Sequence, residues 1–271
     1  MWARGVVALA LLGAVAGCAD LASWQDVAGP KPEHSWKLES GSGTMVAPGV
    51  VLTARHVVES CKAVRVTSAN GVVRAASGRV VARGRERDAD LALVRLDGPS
   101  PDVPAAHFAA LAWPDDAVFA DWTTNLAVPT MESGRFVGLG YPGRIHGIEP
   151  VVTPLHGLVP LNPHEVGPMR RYLVFGRLQP GDSGGPVIDS DGRVAGVMVG
   201  AALNLPELFA RSAILRELPA ARDGVGTAIA DAEAIGFLRR AGLAPQTGPE
   251  PPTGSAVAQA RASLVRVFCW N

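Results

Sequence analysis

Pro180-Gly181-Asp182-Ser183-Gly184-Gly185-Pro186-Val187 is the stretch from which the rest of this sequence is read. Its three glycines and two prolines exclude a helix interior, so Ser183 sits in a tight turn with backbone freedom on both sides. Apolar and β-branched runs flank that turn, at 172–175 before it and at 186–189, 194–199 and 226–229 after it. Runs at 135–140 and 150–154 belong to the same half. Further upstream lie runs at 44–46, 50–53, 63–68, 72–75, 79–83 and 91–96. Short runs at close spacing with turn residues between them predict a barrel or sandwich, not alternating βαβ units. Pro and Asp become dense between positions 98 and 116, which marks a connection between two β-rich halves. Positions 230–241 carry apolar residues at helical spacing, with Asp231 near the start and Gly242 just past the end, and predict a closing helix. Positions 245–254 read as a Pro/Gly/Thr linker and 255–267 as one further amphipathic helix.

Composition sets the limits. A chain of 271 residues with 48% hydrophobic residues has material for one large all-β domain with short extensions. Its 25 basic and 25 acidic residues cancel, and no basic run stands ready to neutralise a phosphate backbone, so nucleic acid is not an expected partner. No Cys or His pair has the spacing of a structural or catalytic zinc site, and neither metal nor cofactor is expected.

The N-terminus reads as an export signal: Arg4, an apolar stretch at 6–15, then Ala16 and Gly17 before Cys18. That stretch is too short to span a bilayer. Val15-Ala16-Gly17-Cys18 resembles the lipobox of bacterial lipoproteins, which implies lipid on Cys18, a mature chain starting there and residence in the periplasm or cell envelope. An ordinary signal peptide with a nearby cysteine is the alternative. Residues 1–17 are then the signal and 18–37 a tether. Cys61 and Cys269 remain, either as a disulfide in an oxidising compartment or as two buried thiols, and spacing does not decide between them.

Chemistry concentrates in three segments. An apolar strand runs through Leu52-Thr53-Ala54-Arg55 into His56. An acid, Asp90, directly precedes Leu91-Ala92-Leu93-Val94, with Asp88 as a neighbouring turn residue. Ser183 lies in the glycine-rich turn. These segments resemble the Thr-Ala-x-His, Asp-Leu-Ala-Leu and Gly-Asp-Ser-Gly-Gly-Pro signatures of the chymotrypsin/trypsin-like serine peptidase clan, in that clan's own order. The resemblance covers positions 38–243. It implies two six-stranded antiparallel β-barrels, at about 38–100 and 132–230, a closing helix at about 230–241, and a linker and tail at 244–271. It also implies a serine endopeptidase acting on protein or peptide substrates, with His56, Asp90 and Ser183 as the triad.

Each residue type suits that role. A serine hydroxyl attacks an acyl carbon only when a base removes its proton, and histidine titrates near neutral pH. The acid fixes the imidazole tautomer and stabilises the imidazolium. Backbone N–H groups of Gly181 and Ser183 are expected to form the oxyanion hole, worth on the order of a few kcal/mol each. A catalytically silent, lipid-anchored binding or scaffold protein on the same fold is the alternative.

Gly41-Ser42-Gly43-Thr44-Met45-Val46-Ala47-Pro48 and Gly140-Tyr141-Pro142-Gly143 resemble the bacterial high-temperature-requirement and glutamyl-endopeptidase branch. No counterpart of that branch's accessory peptide-binding domain is expected after Ala241. No Ile-Val-Gly-Gly activation site occurs, so Asp182 needs another partner, with Arg170, Arg171 and Arg177 as candidates. The clan's pattern places Arg177, Val199, Gly200 and Ala201 near the substrate. Arg177 there would favour an acidic P1 side chain, or else turn to solvent or to Asp182. His156 and His164 are candidates for a substrate-side contact, and His34, His107 and His146 read as loop residues.

Overall fold

Alternation and β-branching before residue 100 yield five strands: β1 (Leu38–Ala47), β2 (Val50–Ala54), β3 (Ala63–Thr67), β4 (Ala76–Arg83) and β5 (Leu91–Leu96), with a single helical turn, α1 (Arg55–Val58), between β2 and β3. The computed structural model describes residues 38–68, 73, 75–84, 90–99, 101–111, 136–143, 149–155, 158–160, 170–200, 224–248 and 254–271, all within the unit Lys37–Asn271. β2 is buried at every position, whereas β4 alternates between half-buried and exposed, as a strand with one wet face does. The run at 79–83 extends back to Ala76 as one strand. The separate strand expected at 72–75 is not formed at Val73, which lies in a turn and exchanges hydrogen bonds with the Ser68 backbone and hydroxyl.

The second half contributes β6 (His107–Phe108), β7 (Phe136–Gly140), β8 (Val151–Leu155), β9 (Leu158–Pro160), β10 (Arg171–Phe175), β11 (Pro186–Ile188), β12 (Val194–Gly200) and β13 (Val225–Ala230). Then follow α2 (Asp231–Arg240), β14 (Gln246–Thr247), α3 (Ala256–Ser263) and β15 (Leu264–Trp270). The architecture is mostly β and two-lobed, as expected. Its second sheet runs β8-β7-β11-β12-β13-β10-β9, and β6 adds to it through β12 and β14. Among the described residues this is a half-barrel and not a closed six-stranded one.

The first barrel closes in the order β1-β15-β3-β4-β5-β2, so its sixth strand comes from the far end of the chain. This corrects the reading of 244–271 as linker and tail, and of 255–267 as one helix. The helix stops at Ser263, and β15 pairs with β1 from Thr44↔Leu264 to Leu38↔Trp270 and with β3 from Thr67↔Arg266 to Ala63↔Trp270. Its alternation explains the change of period: Val265, Val267 and Cys269 are fully buried in the barrel, while Arg266 and Phe268 face outward and only half-buried. Ser255 caps α3 by accepting from the Ala258 N–H at 3.2 Å. Cys269 on β15 is joined to Cys61, just beyond α1, by a disulfide whose Cα atoms lie 5.2 Å apart, within the normal range. Closing a loop of 208 residues in this way stabilises the fold by on the order of 2–5 kcal/mol.

Between the lobes, the Pro/Asp-rich connection is tied to both. The Ala106 N–H donates to Met45 C=O at 2.8 Å, and the Ala109 N–H to Val194 C=O at 2.9 Å. The Leu111 N–H donates to the Asp231 carboxylate at 2.8 Å. Asp231 opens α2, which buries Ala234, Ile235, Phe237 and Leu238 and ends at Gly242 with φ +77°.

Asp231 is 0% exposed, and burial pushes its carboxyl up to about 6, against the opposing pull of the Leu111 and Ala232 N–H donors. Because the folded value lies above the unfolded one of 3.8, the folded state holds the extra proton in that interval. The resulting stabilisation is complete below pH about 4 and is lost as pH rises through about 6, by up to ~3 kcal/mol. Denaturant unfolding at a series of pH values is expected to show this decline in the wild type. Asp231→Asn is expected to lose that part of the slope, and an unchanged slope would refute the assignment.

Candidate active site

β2 ends its buried run at Ala54 and turns directly into α1, which sets His56 at the rim of the first barrel. Asp90 stands at the start of the neighbouring strand β5, paired with β2 from Ala54↔Leu91 to Val50↔Arg95. Strand pairing alone therefore brings Asp90 to His56. One Asp90 oxygen accepts from the His56 backbone N–H at 2.9 Å and the other meets Nδ1 of the ring at 2.6 Å. The Asp90 C=O also accepts from the Arg55 N–H at 3.1 Å. Burial would raise the Asp90 carboxyl, but the hydrogen bonds and charge of His56 outweigh it and hold the group below its ordinary value. Asp90 is thus ionised near neutral pH. A carboxylate cannot donate, so Nδ1 carries a proton, and in the neutral ring Nε2 is the acceptor.

The serine turn is built from pinned peptide planes. Pro180 C=O accepts from the Gly143 N–H at 2.6 Å. Gly181 C=O accepts from the Ser42 hydroxyl at 2.7 Å, and the Asp182 N–H of the same plane donates to Gln179 C=O at 3.0 Å. Asp182 C=O accepts from the Gly185 N–H at 2.9 Å, and Ser183 C=O from the Ser42 N–H at 2.8 Å. The Gly184 N–H donates to Met198 C=O at 2.6 Å. Two donors are left over: among the described residues neither the Gly181 nor the Ser183 N–H has an acceptor. Among the described residues no peptide is cis, so with Pro180 C=O held against Gly143 the Gly181 N–H points away from Gly143.

Glycine is obligatory at two of these positions. Gly181 has φ +103°, and a Cβ there would meet the Gly143 N and Tyr141 O. Gly184 has φ +87°, and a Cβ would meet Ser42 O and the Thr53 hydroxyl. Those neighbours sit on β1 and β2, so the turn is pressed onto the lobe that carries His56. The model of the trypsin-like peptidase domain family matches residues 41–197, more than half of the chain.

The chain belongs to the trypsin-like peptidase domain family.

Serine protease Rv3671c of Mycobacterium tuberculosis (strain ATCC 25618 / H37Rv) is 30% identical over 176 residues, 62% of this chain and 38% of that protein. Serine protease MT3772 of Mycobacterium tuberculosis (strain CDC 1551 / Oshkosh) matches to the same extent. The chain thus spans well under two thirds of the length of these relatives. The crystal structure of the Rv3671c protease from M. tuberculosis in its active form aligns with a TM-score of 0.52 and 25% identity, over 82% of this chain and 80% of that one.

Within this trypsin-like domain the remaining expected positions are distributed unevenly. Gly200 has φ +94°, and a Cβ on it would lie 3.3 Å from the Ser183 hydroxyl, so it leaves room beside that oxygen. Val199 is buried with the core and has only its main chain to offer a substrate. Arg177 is exposed and has no ionic partner among the described residues. Ala201, Cys18, His156 and His164 lie outside the described residues. His107 is not in a loop but in β6.

Asp182 is not met by any arginine of the described residues, contrary to expectation. One of its oxygens accepts from the Gln179 N–H at 2.7 Å, and the other is buried against Gly140 without a hydrogen-bond partner there. Burial accordingly pushes its carboxyl up, with the Gln179 bond opposing. Sequence reasoning also passed over Ser42, Thr53 and Gly143 as parts of the site. The signal was present in the Gly41-Ser42-Gly43 triplet. A Cβ at Gly41 would strike the Val57 side chain and Ser183 O, which is a requirement for closeness that spacing does not reveal. No cluster of His, Cys, Asp or Glu that could hold a metal ion occurs among the described residues.

Proposed function

We propose that this chain is a serine endopeptidase that cleaves peptide bonds through an acyl-enzyme, with His56, Asp90 and Ser183 as its triad. The observation that carries the reading is the double tie of Asp90 to His56, 2.9 Å to the amide and 2.6 Å to Nδ1, on the lobe against which the Ser183 turn is pressed. His56 Nε2 takes the hydroxyl proton as Ser183 Oγ attacks the carbonyl carbon, then returns it to the leaving amine. Water repeats the sequence on the ester and frees the acid. The Gly181 and Ser183 N–H groups, which have no acceptor within the described residues, receive the oxyanion. Every proton and electron pair is accounted for without a cofactor or metal. A fluorophosphonate probe is expected to label the folded chain, and Ser183→Ala is expected to abolish the label. A folded wild type that stays unlabelled would point instead to a silent scaffold on this fold.

We infer further that Arg177 favours an acidic P1 side chain. Its guanidinium is exposed and has no ionic partner among the described residues, which leaves it available for a bidentate carboxylate. Val199 and Gly200 border the substrate through their main chains in this reading. Ester substrates with Glu at P1 should be turned over at least tenfold better than those with Leu, and Arg177→Ala should level the two; equal rates in the wild type refute the preference.

The same reading places the protein outside the cytosol, in a bacterial periplasm or cell envelope, anchored through lipid on Cys18. The Val15-Ala16-Gly17-Cys18 sequence supports the anchor, and the bond between Cys61 and Cys269 is one that an oxidising compartment preserves. Mass spectrometry of the exported protein is expected to find its first residue to be a lipid-modified Cys18. An unmodified N-terminal peptide argues for simple secretion.

A further inference from the structure

We propose that Ser42 is a positioning residue for acyl transfer: its hydroxyl, on the lobe that carries His56, holds the Gly181–Asp182 peptide, the plane between the two whose N–H groups receive the oxyanion, and so keeps those two N–H groups aimed together. The assignment rests on the peptidase reading above and extends it to a side chain outside the triad.

The hydroxyl has one proton, and its use is decided by its neighbours. The Tyr141 N–H donates to Ser42 Oγ at 2.8 Å, so that oxygen's own proton is directed to Gly181 C=O, 2.7 Å away. Ser42 is 0% exposed, so no solvent stands by to replace either bond. Its main chain is held equally firmly. The Ser42 N–H donates to Ser183 C=O at 2.8 Å, and the Thr53 hydroxyl donates to Ser42 C=O at 2.6 Å. One residue of β1 therefore grips the carbonyls on both sides of Asp182 and is itself fixed from β2 and from the end of β7.

Such a grip matters because the turn has little rigidity of its own. Gly181 sits at φ +103°, where glycine meets no barrier from a Cβ, and a peptide plane beside it can rotate. The Gly181–Asp182 plane has two tethers, the Ser42 hydroxyl on its C=O and Gln179 C=O on its N–H. The Asp182 side chain adds a single bond, to the Gln179 N–H, and leaves its second oxygen without a partner among the described residues. Removing the hydroxyl leaves the plane held from one end. The Gly181 N–H belongs to the Pro180–Gly181 plane, tied through Pro180 C=O to Gly143 at 2.6 Å, and the Ser183 N–H to the Asp182–Ser183 plane, tied through Asp182 C=O to Gly185 at 2.9 Å. With the plane between them free to turn, each keeps that one bond and loses the second constraint on its direction. Ground-state binding of substrate, which does not use the oxyanion, is untouched, so the loss falls on the transition state.

The test is Ser42→Ala, with thermal unfolding to establish that it folds. It is expected to lower kcat about 10- to 100-fold, a fraction of what loss of a whole oxyanion donor costs, with KM within twofold. Affinity for a peptide boronate, whose tetrahedral adduct needs both N–H groups, should fall in parallel. Hydrogen exchange at the Asp182 N–H should quicken at least tenfold. An unchanged kcat and boronate affinity in a variant that is only less stable would overturn the assignment. So would unchanged exchange at Asp182, a readout that stands even if the wild type proves inert to a fluorophosphonate and the peptidase reading fails. Should Ser42→Ala not fold, Ser42→Cys keeps the shape with weaker hydrogen bonds, and the same three readouts should move in the same direction.

Discussion

The amide and hydroxyl of Ser42 reach 2.8 Å and 2.7 Å to the carbonyls of Ser183 and Gly181, and these two bonds join the lobe of the histidine and the acid to the turn of the serine. Everything the site can do depends on that junction. His56 and Asp90 are arranged within one barrel by strand pairing, and would keep their geometry without the second lobe. Ser183 stands in the turn that leads into the other sheet, so only contact between the lobes brings it to the lobe of His56. Gly41 and Gly184 make the contact close, because a Cβ on Gly41 would meet Ser183 O and one on Gly184 would meet Ser42 O and the Thr53 hydroxyl.

The barrel that carries His56 and Asp90 is itself completed from a distance. Between β1 and β3 lies β15, more than two hundred residues along the chain from Cys61, to which its Cys269 is bonded. A β-barrel with a missing strand exposes two unpaired edges, and edges are what all-β folds avoid. The alternation of Val265, Val267 and Cys269 inward with Arg266 and Phe268 outward meets both requirements, a dry interior and a wetted surface. The C-terminal segment is therefore part of the lobe of His56 and Asp90, although positions 245–254 ahead of it read as a linker.

Legibility in the sequence followed the range of the interactions. β2, β5, β7, β10, β12 and β13 stand out because each is a run of apolar, mostly branched residues bounded by turns, and local pattern suffices to find them. β15 was misread because Ala and Val in α3 continue smoothly into it, and the change from helical to alternating period occurs within a few residues. β6 and β14 escaped notice because strands of two residues have no period at all. The partner of Asp182 was sought among arginines because a buried carboxylate suggests a cation. The turn supplies a backbone N–H instead, and burial raises the group's tendency to hold a proton.

By itself the sequence singled out His56, Asp90 and Ser183 as the proposed triad, together with the two-lobed all-β plan and the glycine-rich turn, because these are carried by residue types and short spacings. Tertiary structure alone decided which N–H groups of that turn remain without acceptors, that Ser42 holds its carbonyls, that Asp182 turns to Gln179, and that the last strand closes the first barrel. The division has a physical cause. Local pattern reports what a segment prefers to be, whereas the direction of a peptide plane is set by hydrogen bonds to residues that are near in space and far along the chain, as Ser42 and Gly181 are.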